Sequence, residues 1–170
     1  MIELTEEPYD GEVAAGFIDA LLGDLNERYA DDFVEMTPDE QAADEADYLA
    51  EVHPELVRRP DGAFVVAHLD GEIVGCGALK PLDREGGVGE IKRMYTAPSA
   101  RRRGVSRAIL GRLEEIAGEL GYRSLKLETG TRQPEAVALY ESAGWHRIEP
   151  YGRYRQSPWT VCLAKELGSS

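Results

Sequence analysis

The residue pattern of this 170-residue chain predicts an α/β fold, a mixed sheet flanked by helices. Three observations predict it. Apolar residues recur at helical spacing in some segments and alternate at strand spacing in others, and the two kinds of segment interleave along the chain. Asp70-Gly71 sits between two apolar runs as a hairpin signal. The run Arg101-Arg102-Arg103-Gly104-Val105-Ser106-Arg107 joins an alternating segment to an amphipathic one, as at the strand-to-helix junctions of open α/β sheets.

Taken in chain order, Val13, Phe17, Ile18, Leu21, Leu22 and Leu25 predict a first helix over residues 12–29. Thr37 followed by Pro38 reads as an N-cap with proline at the first helical position, so a second helix runs from there toward Val52. Residues 63–69 and 72–79 are apolar runs around the Asp70-Gly71 turn and predict two antiparallel strands. A glycine-rich turn at Gly86, Gly87 and Gly89 leads into the alternating residues 90–96, a central strand that ends near Pro98. After the arginine run, Ile109, Leu113, Ile116, Ala117 and Leu120 form one helical stripe, stopped by Gly121. Leu125 and Leu127 alternate with Lys126 and Glu128 in a strand over 124–129, and a helix follows from Pro134 to Ala143. Two last strands lie near 145–148 and 160–163. With no repeat and no Gly/Ser or Pro linker, residues 1–170 read as one domain.

Charge is unevenly spread. Residues 1–62 carry 19 acidic and 3 basic side chains, net −16, while the remainder is net +3 within a total of −13. Such an acidic region solubilises the chain, and it would also attract a cationic amine. Nucleic acid is disfavoured as a partner, because phosphate backbones require a net basic surface. The opening MIELTEEPYD has neither a basic nor an apolar leader segment, and no stretch approaches the ~20 apolar residues of a membrane span. A cytoplasmic protein without a membrane partner is expected. Only four of the nineteen basic residues are lysine, which suggests a GC-rich bacterial genome. Cys76 and Cys162 fall in apolar, strand-like segments and are expected as small buried hydrophobes. His53, His68 and His146 lack ligand spacing, so no metal site is expected.

The arginine run concentrates chemistry. From Lys92 to Arg107 there are six basic residues and no acidic one. Glycine lets a backbone approach a ligand closely, and the free N–H groups and dipole of a helix N-terminus attract anions. A lone glycine among arginines also fits an ordinary solvated turn, but so basic a patch costs repulsion unless an anion occupies it. No Gly-Lys-Ser/Thr follows and there is one glycine rather than three, which excludes a P-loop and a dinucleotide fingerprint.

Arg101-x-x-Gly104-x-Ser106 resembles motif A of the GNAT superfamily of N-acetyltransferases, Arg/Gln-x-x-Gly-x-Gly/Ala, with Ser106 a departure in the last position. Gln133-x-x-Ala136-x-x-Leu139-Tyr140-x-x-x-Gly144-Trp145 resembles motif B, where Asn and Phe are usual in place of Gln133 and Trp145. The pattern ETGxxQPEAxALYExxG is similar to that of an uncharacterised bacterial subgroup of the family. The resemblance runs from residue 63 to residue 167 and implies a mostly antiparallel sheet, splayed between the family's strands four and five, here residues 90–96 and 124–129.

The same resemblance implies acetyl-CoA as acyl donor. Its pyrophosphate would lie on Arg101, Arg102, Arg103, Gly104, Val105, Ser106 and Arg107, its pantetheine arm would pair with Met94, Tyr95 and Thr96 like an added strand, and Gln133 would join the cofactor site. Tyr140 is implied as general acid, since a phenol with an ordinary pKa of about 10 is protonated at neutral pH and can serve a departing thiolate. Glu90 matches the catalytic glutamate of the histone-acetylating branch, although relatives are thought to use a water chain. A backbone N–H near Met94 would polarise the thioester. Direct attack by a primary amine of a small molecule, peptide or protein is therefore expected, with the cationic acceptor entering beside the first two helices. The aromatic segment from Glu149 to Trp159 is expected to border the acceptor site. The departures at Ser106 and Gln133 keep open a noncatalytic acyl-CoA-binding or interaction module on the same fold. Homodimers are common for this architecture.

Overall fold

The computed structural model describes residues 1–32 and 34–168. Seven strands, β1 (Ile2–Glu6), β2 (Ala63–Leu69), β3 (Glu72–Asp83), β4 (Val88–Thr96), β5 (Ser124–Gly130), β6 (His146–Ile148) and β7 (Thr160–Glu166), form one sheet in the order β1-β2-β3-β4-β5-β7-β6. Neighbours are antiparallel except for β4 and β5, which run parallel. Helices α1 (Glu12–Arg28), α2 (Pro38–Ala50), α3 (Val105–Glu119) and α4 (Pro134–Ser142) flank the sheet. No helix among the described residues is long and apolar enough to cross a membrane.

Strand alternation divides the core in two. On one face, Val65, Ala67, Leu79, Ile91, Leu125, Leu127 and Leu163 pack against Ile109, Leu113, Ile116 and Ala117, the stripe read from the sequence of α3. On the other, Phe64, Val66, Cys76 and Ala78 meet Ala14 and Phe17 of α1 together with Tyr9, Val52 and Val57. The turn between β2 and β3 takes φ 55° at Asp70 and 87° at Gly71, the two left-handed residues that a type I′ hairpin requires. Helix α2 opens with a full capping box, in which Thr37 and Glu40 satisfy each other's backbone N–H groups.

The chain begins with a strand rather than with two helices. Strand β1 lies at the sheet edge, where Ile2 and Leu4 are only partly buried while Glu3, Thr5 and Glu6 face solvent. Its short alternation carries little apolar signal. Strand β3 also extends beyond residue 79, because Lys80, Pro81 and Asp83 keep partners on β4.

The feature that positions the site is a wedge in the middle of the sheet. Strand β4 pairs with β5 only from Val88 to Ile91; beyond that, Lys92–Thr96 stay with β3 and Glu128–Gly130 stay with β7. A bulge opens the wedge. Gly77 of β3 faces both Arg93 and Met94, and Arg93 takes φ 58°, which bends and twists β4 away from its neighbour. A side chain at Gly77 would lie 2.6 Å from the Met94 sulfur and 2.8 Å from Ile109, so anything larger than glycine here must displace side chains of β4 and α3.

Candidate active site

The wedge holds a cavity of about 770 Å³. Its floor is the diverging backbone of β4 and β5, one wall comes from α1 and α2, and Tyr154, Ser157 and Trp159 of the β6–β7 loop close another side. The acidic N-terminal third and the aromatic segment thus both border the same space. Met94, Gln133 and Tyr140 line it directly, although they come from β4, the N-cap of α4 and the last turn of α4.

Below the wedge, β4 runs through the short turn Pro98–Ala100 into the arginine loop and α3. Gly104 is the N-cap of α3 at φ 83°, and Arg102 has φ 64°. The left-handed conformation costs backbone energy at Arg102 but not at the glycine, and left-handed residues in a tight turn are the backbone from which anion nests are built. Thr96 and Ser106 share a 2.8 Å hydroxyl hydrogen bond that ties the strand end to the first turn of the helix. The arginines are less free than the sequence suggests. Arg101 pairs with Asp24 at 2.8 Å and Arg103 with Asp70 at 3.2 Å, while Arg107 donates to the Ser142 hydroxyl at 2.6 Å. Carboxylates distant in sequence therefore offset part of the repulsion that a run of four arginines would create.

Tyr140 is 5 % exposed and its ring centroid lies 6.0 Å from that of Trp145. Burial pushes its phenol pKa well above the ordinary value, so the hydroxyl stays protonated throughout the physiological range. Tyr95 is half-buried and packs on Phe17 of α1.

Glu90 lies elsewhere. It is 4 % exposed, does not line the cavity, and holds Lys80 at 3.0 Å, the Tyr151 hydroxyl at 2.8 Å and Lys92 at 3.5 Å. These partners occupy its lone pairs. The carboxylate that does face the wedge from the sheet is Glu128 of β5, opposite Cys162 in the register. Burial raises its pKa, partly countered by the positive charge of Lys92 and a backbone N–H of Tyr154, and reinforced by the negative charges of Glu51 and Glu90. Sequence reasoning passed over Glu128, although its alternation with Leu125 and Leu127 already set it on the face opposite the main core. What alternation lacks is the point where β5 leaves β4.

The thiols offer no nucleophile. Cys76 is 2 % exposed and burial pushes its pKa up to about 12, and Cys162 is equally buried with a raised pKa of the same origin. Among the described residues no three His, Cys, Asp or Glu side chains are grouped so as to hold a metal ion.

Known proteins share this architecture. The acetyltransferase (GNAT) family matches residues 22–145. An IAA acetyltransferase from Azospirillum brasilense is 37 % identical over 129 residues, covering 71 % of this chain and 84 % of its own length. A Klebsiella pneumoniae structure assigned to the acyl-CoA N-acyltransferases superposes with a TM-score of 0.74 at 25 % identity, over 99 % of both chains. A GNAT acetyltransferase from Elizabethkingia anophelis with acetyl-CoA bound has the same fold, with a TM-score of 0.64 at 18 % identity over 98 % of each chain. With the wedge, the left-handed loop before α3 and the match over most of its length, the chain belongs to the GNAT family and is an acyl-CoA N-acetyltransferase.

Proposed function

We propose that residues 1–170 work as one domain that transfers an acetyl group from acetyl-CoA to an amine, by direct attack within a ternary complex. The observation that carries this reading is the shared cavity: a stretch of β4 without a β5 partner, a protonated tyrosine and a desolvated carboxylate all face one space. The cosubstrate supplies an activated thioester. Backbone N–H groups from Arg102 to Arg107, with the arginine side chains, cradle its pyrophosphate, and Ser106 is fixed for this by Thr96. Backbone groups of Met94, Tyr95 and Thr96, which have no β5 partner, pair with the pantetheine arm. Gln133 closes the far side of the wedge from the start of α4.

The amine arrives as an ammonium, drawn by the acidic walls, and Glu128 accepts the proton that frees its lone pair. Glu128 suits this task better than Glu90, because it faces the cavity and its raised pKa brings it nearer neutrality. The nitrogen bonds to the acyl carbon, a β4 backbone N–H beside Met94 stabilises charge developing on the carbonyl oxygen, and the C–S bond breaks. Tyr140 gives its proton to the departing sulfur and recovers one from the amine nitrogen through solvent. Products are an N-acetylated amine and CoA with a free thiol.

An acceptor panel with acetyl-CoA, read by thiol release, tests the reading. Acetylation of one or more amines is expected; tight acetyl-CoA binding with no thiol release above hydrolysis for any amine would overturn it.

A further inference from the structure

We infer that the acceptor is an amine that also carries a carboxylate, an amino acid or a close analogue, and that Arg93 recognises the carboxylate. This rests on the amine-acetylating reading above and names its substrate class.

The cavity wall contains two cations among the described residues, Lys92 and Arg93, and they differ in one respect. Lys92 has counter-charges, Glu51 at 2.9 Å and Glu90 at 3.5 Å. Arg93, only 4 % exposed, has no carboxylate within ion-pair distance among the described residues. Its Nε donates to the Tyr9 hydroxyl at 3.1 Å, its Nη2 to the Tyr48 carbonyl at 2.6 Å, and its guanidinium stacks on the Tyr48 ring at 3.8 Å. The remaining nitrogen, Nη1, is buried without a hydrogen-bond partner among the described residues. A buried guanidinium without an anion is costly, and a group left in that state implies a counter-charge that arrives with a ligand.

Geometry sets what that ligand is. Arg93 adopts φ 58° at the bulge, a conformation uncommon for a residue with a side chain, and a bulge is a device that re-aims one. Arg93 and its neighbour Met94, where the acyl carbonyl is proposed to lie, both line the cavity, so an amine placed for attack there can direct a nearby carboxylate toward the guanidinium. The Tyr48 ring stacks on the guanidinium, so contact with the carboxylate requires that ring, carried by α2, to move aside. One free guanidinium nitrogen suits one carboxylate oxygen, in a strong charge-assisted hydrogen bond. The acidic residues of the same walls accommodate the ammonium end before it reacts.

The test compares amino acids with their own carboxamides as acceptors, using acetyl-CoA and thiol release. Removing the carboxylate makes the amine less basic and so leaves more of it neutral, which by itself favours the amide. A kcat/KM about tenfold or more higher for the acid therefore reports recognition. Arg93→Gln should lose that advantage, with most of the change in KM. Should that variant fold poorly, the wild-type protein suffices: propionate should compete with the acid acceptor, and propionamide should not. Equal use of acid and amide, or no competition by propionate, overturns the inference while amine acetylation stands. Absence of acetylation across the whole panel overturns both.

Discussion

Replacing Gly104 by valine tests the proposed pyrophosphate loop apart from the rest of the fold. A Cβ built at Gly104 meets no atom within 4 Å, so the substitution creates no clash. Its cost is conformational. Gly104 sits at φ 83°, where an L-residue pays about 1–2 kcal/mol and a β-branched one pays at the upper end or beyond. If valine keeps that conformation, the melting temperature falls by about 2–8 °C and the nest survives in strained form. If the backbone relaxes to negative φ, stability recovers but the N–H groups of residues 104–106 turn away from the ligand. Each hydrogen bond to a charged group is worth about 1.5–3 kcal/mol, so losing one raises Kd about 10- to 150-fold and losing two raises it at least about 100-fold. Calorimetric titration with CoA, alongside a melting curve, distinguishes these outcomes, and Gly104→Ala should fall between valine and wild type. Unchanged CoA affinity in a valine variant that melts with wild type, and so has relaxed its backbone, would refute the assignment of the pyrophosphate to this loop.

Three further expectations follow from the side chains around the wedge. Tyr140→Phe should lower kcat by roughly 10²- to 10⁴-fold while CoA affinity measured by calorimetry stays close to wild type, since a proton donor acts in the transition state; equal turnover would reduce Tyr140 to a packing partner of Trp145. Glu128→Gln should abolish the rise of kcat/KM with pH that the wild type shows as this carboxyl deprotonates. Because burial raises the folded-state pKa of Glu128, the stability tied to its protonated form is complete below the ordinary carboxylate value and is lost as pH rises through the raised one. The glutamine variant should therefore melt higher than wild type at neutral pH and alike in acid, and a lower neutral melting point would contradict the desolvation argument. Gly77→Ala would set a methyl 2.6 Å from the Met94 sulfur and 2.8–2.9 Å from Ile109 and Leu113; about 1–3 kcal/mol of destabilisation is expected, with weaker CoA binding as the bulge shifts, and a thermally neutral variant would show that the strands yield freely there.

Sequence by itself determined the local parts of this protein. Helical stripes in α1 and α3, the Thr37 cap and the Asp70-Gly71 turn depend on residues a few positions apart, and short-range periodicity and turn chemistry specify such features. The two motifs that resemble the GNAT family also lie in continuous segments, so the fold and family were legible before any coordinate. Only tertiary structure decided which chemistry shares a space. Glu90 and Glu128 look alike as strand carboxylates, yet β4 and β5 are still paired beside Glu90 and already apart beside Glu128, so one is sealed by Lys80, Lys92 and Tyr151 and the other faces the cavity. Asp24 and Asp70 meet arginines of the loop from 77 and 33 residues away. The isolation of Arg93 from the carboxylates of the described residues is likewise a property of packing, because counter-charges are matched by proximity in the folded chain and not by order along it.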